Sequence, residues 1–422
     1  MLGSSTGLLA VSHELEKFAG KQVGGSKGEE RRAKERSLLK VKDLKDLCIE
    51  TLAEHFEEFP SIACLDESQV RQLSSMLSVD IDINVASSNV FDENYWKRKA
   101  VAEEWKNMEL HMHGMTWKQL YFECKIQEIL ESYSGTEEKK SDDEEINMDT
   151  VSAYLAAGQD YVFHLKLEQL MSHLDLAIIF ESLPNLSRFY LTYGVKHLGM
   201  LYKRSYFGMR MSDATSLAAA LRTSNTLTSL SLPCNLIDDD TLRMILTGLV
   251  SNNTITYLDL SHNKITNHGA RLIAKLLGSK SIITTLNLCD NQIHAEGGRY
   301  LGRALKNNCS LINLNLRLNR LTDEGGRLLL TGLVHNETLA NLNLSSNSLR
   351  SASVQCLADI LRDKSSLVSL DISSNELSED DGILLVNALG QNKTLISIDT
   401  RKNYLQDSAA SLLELVKQVQ LI

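Results

Sequence analysis

Over the last 196 residues, apolar and polar positions follow one pattern that returns at a constant interval. Leu227, Leu230 and Leu232 precede Asn235 in the spacing L-x-x-L-x-L-x-x-N, and Ile237 follows two places on. The frame returns at Asn263, Asn291, Asn319, Asn347, Asn375 and Asn403, 28 residues apart each time. Alternate apolar residues in the L-x-L core predict a short strand with one face inward. Past the asparagine the apolar spacing changes to three and four, as in Ala270, Ile273 and Leu277, and predicts a helix.

Seven frames in register are leucine-rich repeats. One such unit cannot bury its apolar face alone, so the units stack into a solenoid with a continuous core. A helix in a 28-residue frame resembles the ribonuclease-inhibitor class, an α/β horseshoe with a parallel sheet. Each asparagine stands where the chain turns off its strand, and its amide can satisfy backbone groups that would otherwise be buried unpaired. Upstream, Val162, Leu165 and Leu167 fit the comb, and so do Leu186, Phe189 and Leu191. The expected repeat domain is therefore 151–422, two irregular repeats and then seven regular ones from 227.

From Leu186 to Leu227 there are 41 residues where a regular frame needs 28. Surplus residues in a solenoid emerge as loops, which commonly form a binding face. This one gathers Tyr202, Lys203, Arg204, Tyr206, Phe207 and Arg210, residue types that anchor interfaces. Tyr202, Lys203, Arg204, Tyr206 and Arg210 are the candidate partner-binding residues, while Phe207 is expected to fold back over the irregular strands. The last frame puts Thr400 at a strand core position and Lys417 at a helix core position, and the chain stops where a repeat stops. A solvent-facing cap would have these features.

Ahead of the repeats the pattern is helical. Val41, Leu44, Cys48 and Leu52 share one face of a helix that ends near Pro60, and Val70, Leu73 and Leu77 mark another. Asp92–Arg98 opens a third, with Trp96, Ala100 and Met108 on one side. Thr116-x-x-Gln119 reads as the capping box of a fourth, with Trp117, Leu120, Tyr121 and Cys124 on it. All three tryptophans (96, 105 and 117) fall in this region and are expected to form its core. The expected organisation is a disordered tail over 1–36, a small helical domain over 37–133 and an acidic linker over 134–150.

Charge and chemistry narrow the function. The chain carries a formal charge of −10, although residues 1–45 hold ten Lys/Arg against six Asp/Glu. Seven scattered cysteines fit a reduced cytosolic compartment. No apolar run is long enough for a membrane span, and Met1–Ala10 lacks the basic start of a signal peptide. No phosphate-binding loop or H-E-x-x-H motif is present, and His111, His113 and Cys124 fall short of a metal set. No catalytic residues, cofactor or metal are expected. Asn252-Asn-Thr254, Asn336-Glu-Thr338 and Asn392-Lys-Thr394 look like glycosylation triplets, but their common phase predicts turn asparagines. The concave positions of the regular strands, among them Asp259, Asp371 and Asp399, are small, polar and mildly acidic, which disfavours nucleic acid.

The non-repeating segments carry a resemblance. Leu44-x-x-Leu-Cys48, Asp92-Glu-Asn-Tyr-Trp-Lys-Arg98, His113-Gly-Met-Thr-Trp-Lys118, Tyr193-Gly-Val-Lys196 and Phe207-Gly-Met209 resemble a ciliary family. It is the leucine-rich-repeat subunit of the nexin–dynein regulatory complex, the t-complex-associated testis-expressed protein family. The resemblance implies a non-enzymatic axonemal subunit, partnered by other subunits of that complex, with microtubule or dynein surfaces as further candidates. The rival is a substrate receptor of an elongin–cullin ubiquitin ligase. Leu44-x-x-x-Cys48-x-x-x-Leu52 matches the body of an elongin-binding box, but Asp43 stands where a small or hydroxyl residue is usual. A generic inhibitor that grips an enzyme in the horseshoe would need a more aromatic concave face.

Overall fold

A computed structural model describes residues 43–60, 62, 65–106, 108–134, 146–195, 204–278, 280–363 and 366–419. The tail over 1–36 and most of the acidic linker lie outside the described residues. Contacts divide the chain into two compact units, one up to Ser78 and one from Val79.

In the first unit, α1 (Leu44–Glu54) packs against α2 (Glu67–Met76). Asp66 starts α2 by accepting from the amides of Ser68 and Gln69, while the Gln69 side chain returns to the Asp66 amide. The expected inward stripe of α1 is corrected. Leu44 is 74% exposed and Cys48 is exposed, whereas Ile49 and Phe56 are buried. On this helix Ile49 turns inward, and Phe56, in the turn just past its end, is buried as well. Val41 is outside the described residues.

The second unit begins with α3 (Ile83–Asn89), α4 (Glu93–Ala102), α5 (Trp117–Ser132) and α6 (Met148–Ala157). Trp96 is fully buried, with ring centroids of Tyr95, Tyr121 and Phe122 within 5.3–5.5 Å. Trp105 and Trp117 are half-buried at the margin of this core. Because α4 ends at Ala102, Met108 does not share its face with Trp96. Thr116 caps α5 through the Gln119 amide, but the Gln119 side chain goes to Glu123, so the capping box is only half formed.

The repeats follow. Their strands are β1 (His164–Leu170), β2 (Arg188–Tyr193), β3 (Ser229–Ser231), β4 (Tyr257–Asp259), β5 (Thr285–Asn287), β6 (Asn313–Asn315), β7 (Asn341–Asn343), β8 (Ser369–Asp371) and β9 (Ser397–Asp399). Each pairs in parallel with the next, in sequence order. The register puts Leu165, Phe189, Leu230 and Leu258 in one row that continues to Ile398, and all of them are buried. The helices between the strands are α7 (Leu176–Ser182), α8 (Met211–Thr223), α9 (Asp239–Leu249), α10 (Asn267–Leu276), α11 (Ala295–Leu305), α12 (Thr322–Leu333), α13 (Ser351–Asp363) and α14 (Glu379–Leu389), and α15 (Ser408–Val419) follows β9. In α11 and α12 the backbones approach so closely that a Cβ on Gly332 would lie 1.9 Å from the Gly302 carbonyl oxygen. Thr400 is buried at its strand position, and the side chain of Lys417 lies outside the described residues.

Three sets of polar side chains tie each repeat to its neighbour. In the first, Asn263 Oδ1 accepts from the amides of Asn235 and Ile237 one repeat back. Its Nδ2 donates to the carbonyls of Leu232, Leu260 and Ser261. Asn319 does the same with Ile293, Leu288, Leu316 and Arg317. In the second, helix-start residues cap the next repeat's helix: Asp239 accepts from Thr266, Asn267 from His294 and Gly297, and Asp323 from Arg350 and Ser353. In the third, Asn252, Asn308, Asn336 and Asn392 donate to carbonyls of Leu221, Leu277, Leu305 and Leu361. Three of these asparagines belong to the glycosylation-like triplets, and their amides are turned into the protein.

The first strand has an open edge that α5 covers. Glu123 Oε1 accepts from the Phe163 and His164 amides at 2.9 and 2.8 Å, and its Oε2 meets His113 Nδ1 at 2.5 Å. Two helical turns on, Glu131 Oε1 accepts from the amides of Glu168 and Gln169. The expected helical domain over 37–133 is thus grouped differently by contacts, with residues from Val79 belonging to the repeat unit.

Asn319→Ala is expected to cost about 1–3 kcal/mol, because it orphans one buried amide and three carbonyls. Asn403→Ala is expected to cost less, since the Asn403 site is only partly buried and water can replace the amide. Denaturant unfolding of the two variants measures the difference. Glu123→Ala is expected to cost about 1–3 kcal/mol as well, through the unpaired Phe163 and His164 amides. Hydrogen exchange at those two amides should accelerate with it.

Candidate partner-binding surface

The comb of the second irregular repeat places Gly194 where regular repeats have the ladder asparagine. The ladder therefore has no amide of its own here. Asn235 reaches back as the other ladder asparagines do, accepting from the Tyr193 amide and donating to the Leu191 carbonyl, both at 2.7 Å. The space above Gly194 is filled by Phe207, whose Cδ1 would lie 3.0 Å from a Cβ at that position. Phe207 thus folds back on the irregular strand.

The insert leaves β2 after Tyr193 and returns through a 3₁₀ turn over Arg204–Tyr206. Tyr202 and Lys203 lie outside the described residues. Arg204 and Arg210 are exposed and Tyr206 is half-buried. Gly208, at φ +94°, packs against Leu236, and the Met209 amide donates to the Asn235 carbonyl at 2.8 Å. The turn is thereby pinned to the first regular repeat. Arg210 precedes α8, and its amide donates to Asp213 Oδ2 at 2.7 Å.

Under the insert lies a polar cluster with no signal in the repeat pattern. His173 Nδ1 meets buried Asp213 Oδ2 at 2.7 Å, and the His173 ring stacks on Tyr193 at 5.0 Å. The Tyr193 hydroxyl is buried without a hydrogen-bond partner among the described residues. Burial and then the neighbouring Asp213 carboxylate hold its pKa well above the usual range, so it stays protonated. The cluster locks α8 to the loop that follows β1. Among the described residues no group of acidic, histidine or cysteine side chains could hold a metal ion.

The sheet face away from the helices carries a second finding. Asp259, Asn287, Asn315, Asn343, Asp371 and Asp399 each accept from the amide two residues on, at 2.8–3.1 Å. Their acidic and amide groups build the turn after the strand. The same register extends to β1 and β2, where Lys166 and Tyr190 stand in that row and Arg188 in the neighbouring one. Lys166 Nζ lies 5.6 Å from the Tyr190 ring centre. Counting only the regular strands misses these residues, although the irregular comb predicts their positions.

Parallel strands, 28-residue frames and an inter-repeat asparagine ladder define an α/β leucine-rich-repeat protein with a built-out loop on one edge. A family profile described as Leucine Rich repeat matches residues 251–274, 281–302 and 307–330. The chain is similar to a protein named Dynein regulatory complex subunit 5 from Chlamydomonas reinhardtii, 40% identical over 205 residues, 48% of this chain and 50% of that one. Proteins of the same name from Mus musculus and Homo sapiens are 30% and 32% identical over 243 residues, covering 51% of this chain and 47% and 46% of theirs. The chain thus spans about half the length of the curated relatives it matches.

Gly208→Ala is expected to destabilise by about 1–2 kcal/mol, because its left-handed backbone disfavours a side chain. Thermal unfolding reads the loss, and faster exchange of the Met209 amide should show that the insert has loosened.

Proposed function

We propose that the chain is a non-enzymatic structural subunit of the nexin–dynein regulatory complex in the axoneme of motile cilia and flagella. There it helps to link neighbouring doublet microtubules and to regulate dynein-driven beating. The observation that carries this reading is the 40% identity over 205 residues to a protein named for the dynein regulatory complex. A stack of repeats with one continuous parallel sheet is suited to holding partners in place. No helix among the described residues is long and apolar enough to cross a membrane. The partners are other subunits of the complex, and the contact is the insert, through Tyr202, Lys203, Arg204, Tyr206 and Arg210.

One observation favours the ligase reading as a second. The Leu44, Leu47, Cys48 and Leu52 face of α1 lines an open groove of about 690 Å³ with Phe59, and an elongin-binding box would present such a face.

Extraction of axonemes from motile cells separates the two. The protein is expected to stay with axonemes through detergent; recovery in the soluble fraction, bound to elongins, would establish the ligase reading. Lys203→Glu combined with Arg204→Glu is expected to leave the melting temperature nearly unchanged while weakening incorporation. Normal incorporation of that variant would remove the insert as the contact.

A further inference from the structure

Along the edge where strands give way to turns, a groove of about 350 Å³ is lined by Leu236, His262, Lys264, Asp290, Leu318 and Arg320, among others. Its two leucines are unusual in the same two ways. Leu236 has φ 54° and is 37% exposed, and Leu318 has φ 55° and is 40% exposed. A left-handed backbone disfavours a bulky side chain, and exposure forfeits the gain of burying it. The residue before the ladder asparagine is left-handed in every regular repeat. Elsewhere it is Cys234, His262, Asp290, Ser346, Ser374 or Lys402, so the ladder itself does not require a leucine at 318. Strained residues of this kind cluster where a protein binds.

The charges point the same way. Asp290 is engaged by His262 Nδ1 at 2.8 Å. Lys264 and Arg320 have no ion pair or side-chain hydrogen bond among the described residues, so the groove's uncommitted charge is positive. Leu236, just after Asn235, and Leu318, just before Asn319, are separated along the stack by three repeats, about 14 Å at the usual strand spacing, and an extended chain covers about 13 Å in four residues.

We propose that this groove binds an extended acidic segment of a partner protein. Two aliphatic side chains of that segment, about four residues apart, rest on Leu236 and Leu318, and carboxylates between them reach Lys264 and Arg320. Gly208 packs on Leu236, so the groove is continuous with the insert. The proposal deepens the partner-binding reading of that edge and stands without the axonemal assignment, since its test uses the purified protein alone.

The full chain is panned against a displayed library of short random peptides. Enrichment of peptides with two aliphatic residues separated by Asp and Glu is expected. A fluorescein-labelled synthetic peptide of the enriched sequence should lose about tenfold or more in affinity for the Leu236→Asn, Leu318→Asn double variant. The Lys264→Glu, Arg320→Glu double variant should lose as much. Asparagine tolerates a left-handed backbone, so the first variant should melt no lower than the parent. Enrichment of basic or uncharged peptides, no enrichment, or equal binding to the asparagine variant would overturn the proposal. So would binding that emerges only when Asp142, Asp143, Glu144 and Glu145 are replaced by serine, because the occupant would then be this chain's own acidic run.

Discussion

A solenoid must turn its backbone away from every strand, and each turn buries amides and carbonyls that no strand or helix can pair. Here one side-chain amide from the next repeat resolves that problem at each corner. Asn263 accepts two amides and donates to three carbonyls, which takes both halves of a carboxamide. A carboxylate could only accept and a leucine could do neither. The amide reaches one repeat back, so the interval between asparagines must match the interval between strands. The helix starts and the asparagines before the strands repeat the same solution at the other corners, so each repeat needs its neighbour's side chains as well as its own.

Such a stack has ends, and an end leaves polar groups exposed to solvent or to misplaced pairing. At the first strand, α5 supplies Glu123 and Glu131 to four backbone amides and takes the place of a preceding repeat. At the last strand, Asn403 still serves the repeat before it, while its own site is only partly buried.

The asparagine ladder stops short of Gly194, which is also where the chain departs from its frame. With Gly194 in the asparagine position, Phe207 fills the space beside it, and the Met209 amide ties the insert to the Asn235 carbonyl. Arg204 and Arg210 stay exposed. Beside them, Leu236 and Leu318 stand in a groove along the same edge whose other lining residues include Lys264, Asp290 and Arg320. The impression of an acidic sheet face fades once Asp259, Asp371 and Asp399 are seen to build their own turns.

The repeats were legible because each frame states its structure within 28 residues, and seven near-identical statements average out local ambiguity. The comb located the strands of the irregular repeats as well, and the surplus between Leu186 and Leu227 located the insert. Other features depended on partners that no local pattern names. The apolar face of α1 that turns inward is chosen by its packing with α2, and the face through Leu44 and Cys48 is left exposed. Glu123 reads as an ordinary surface carboxylate, yet it is buried because the amides it serves lie 40 residues further on. Leu318 reads as one more leucine, and only its left-handed backbone and exposure set it apart. Periodicity records what a residue does for its own repeat. What it does for a distant segment, or for a surface, is decided when the tertiary fold brings the two together.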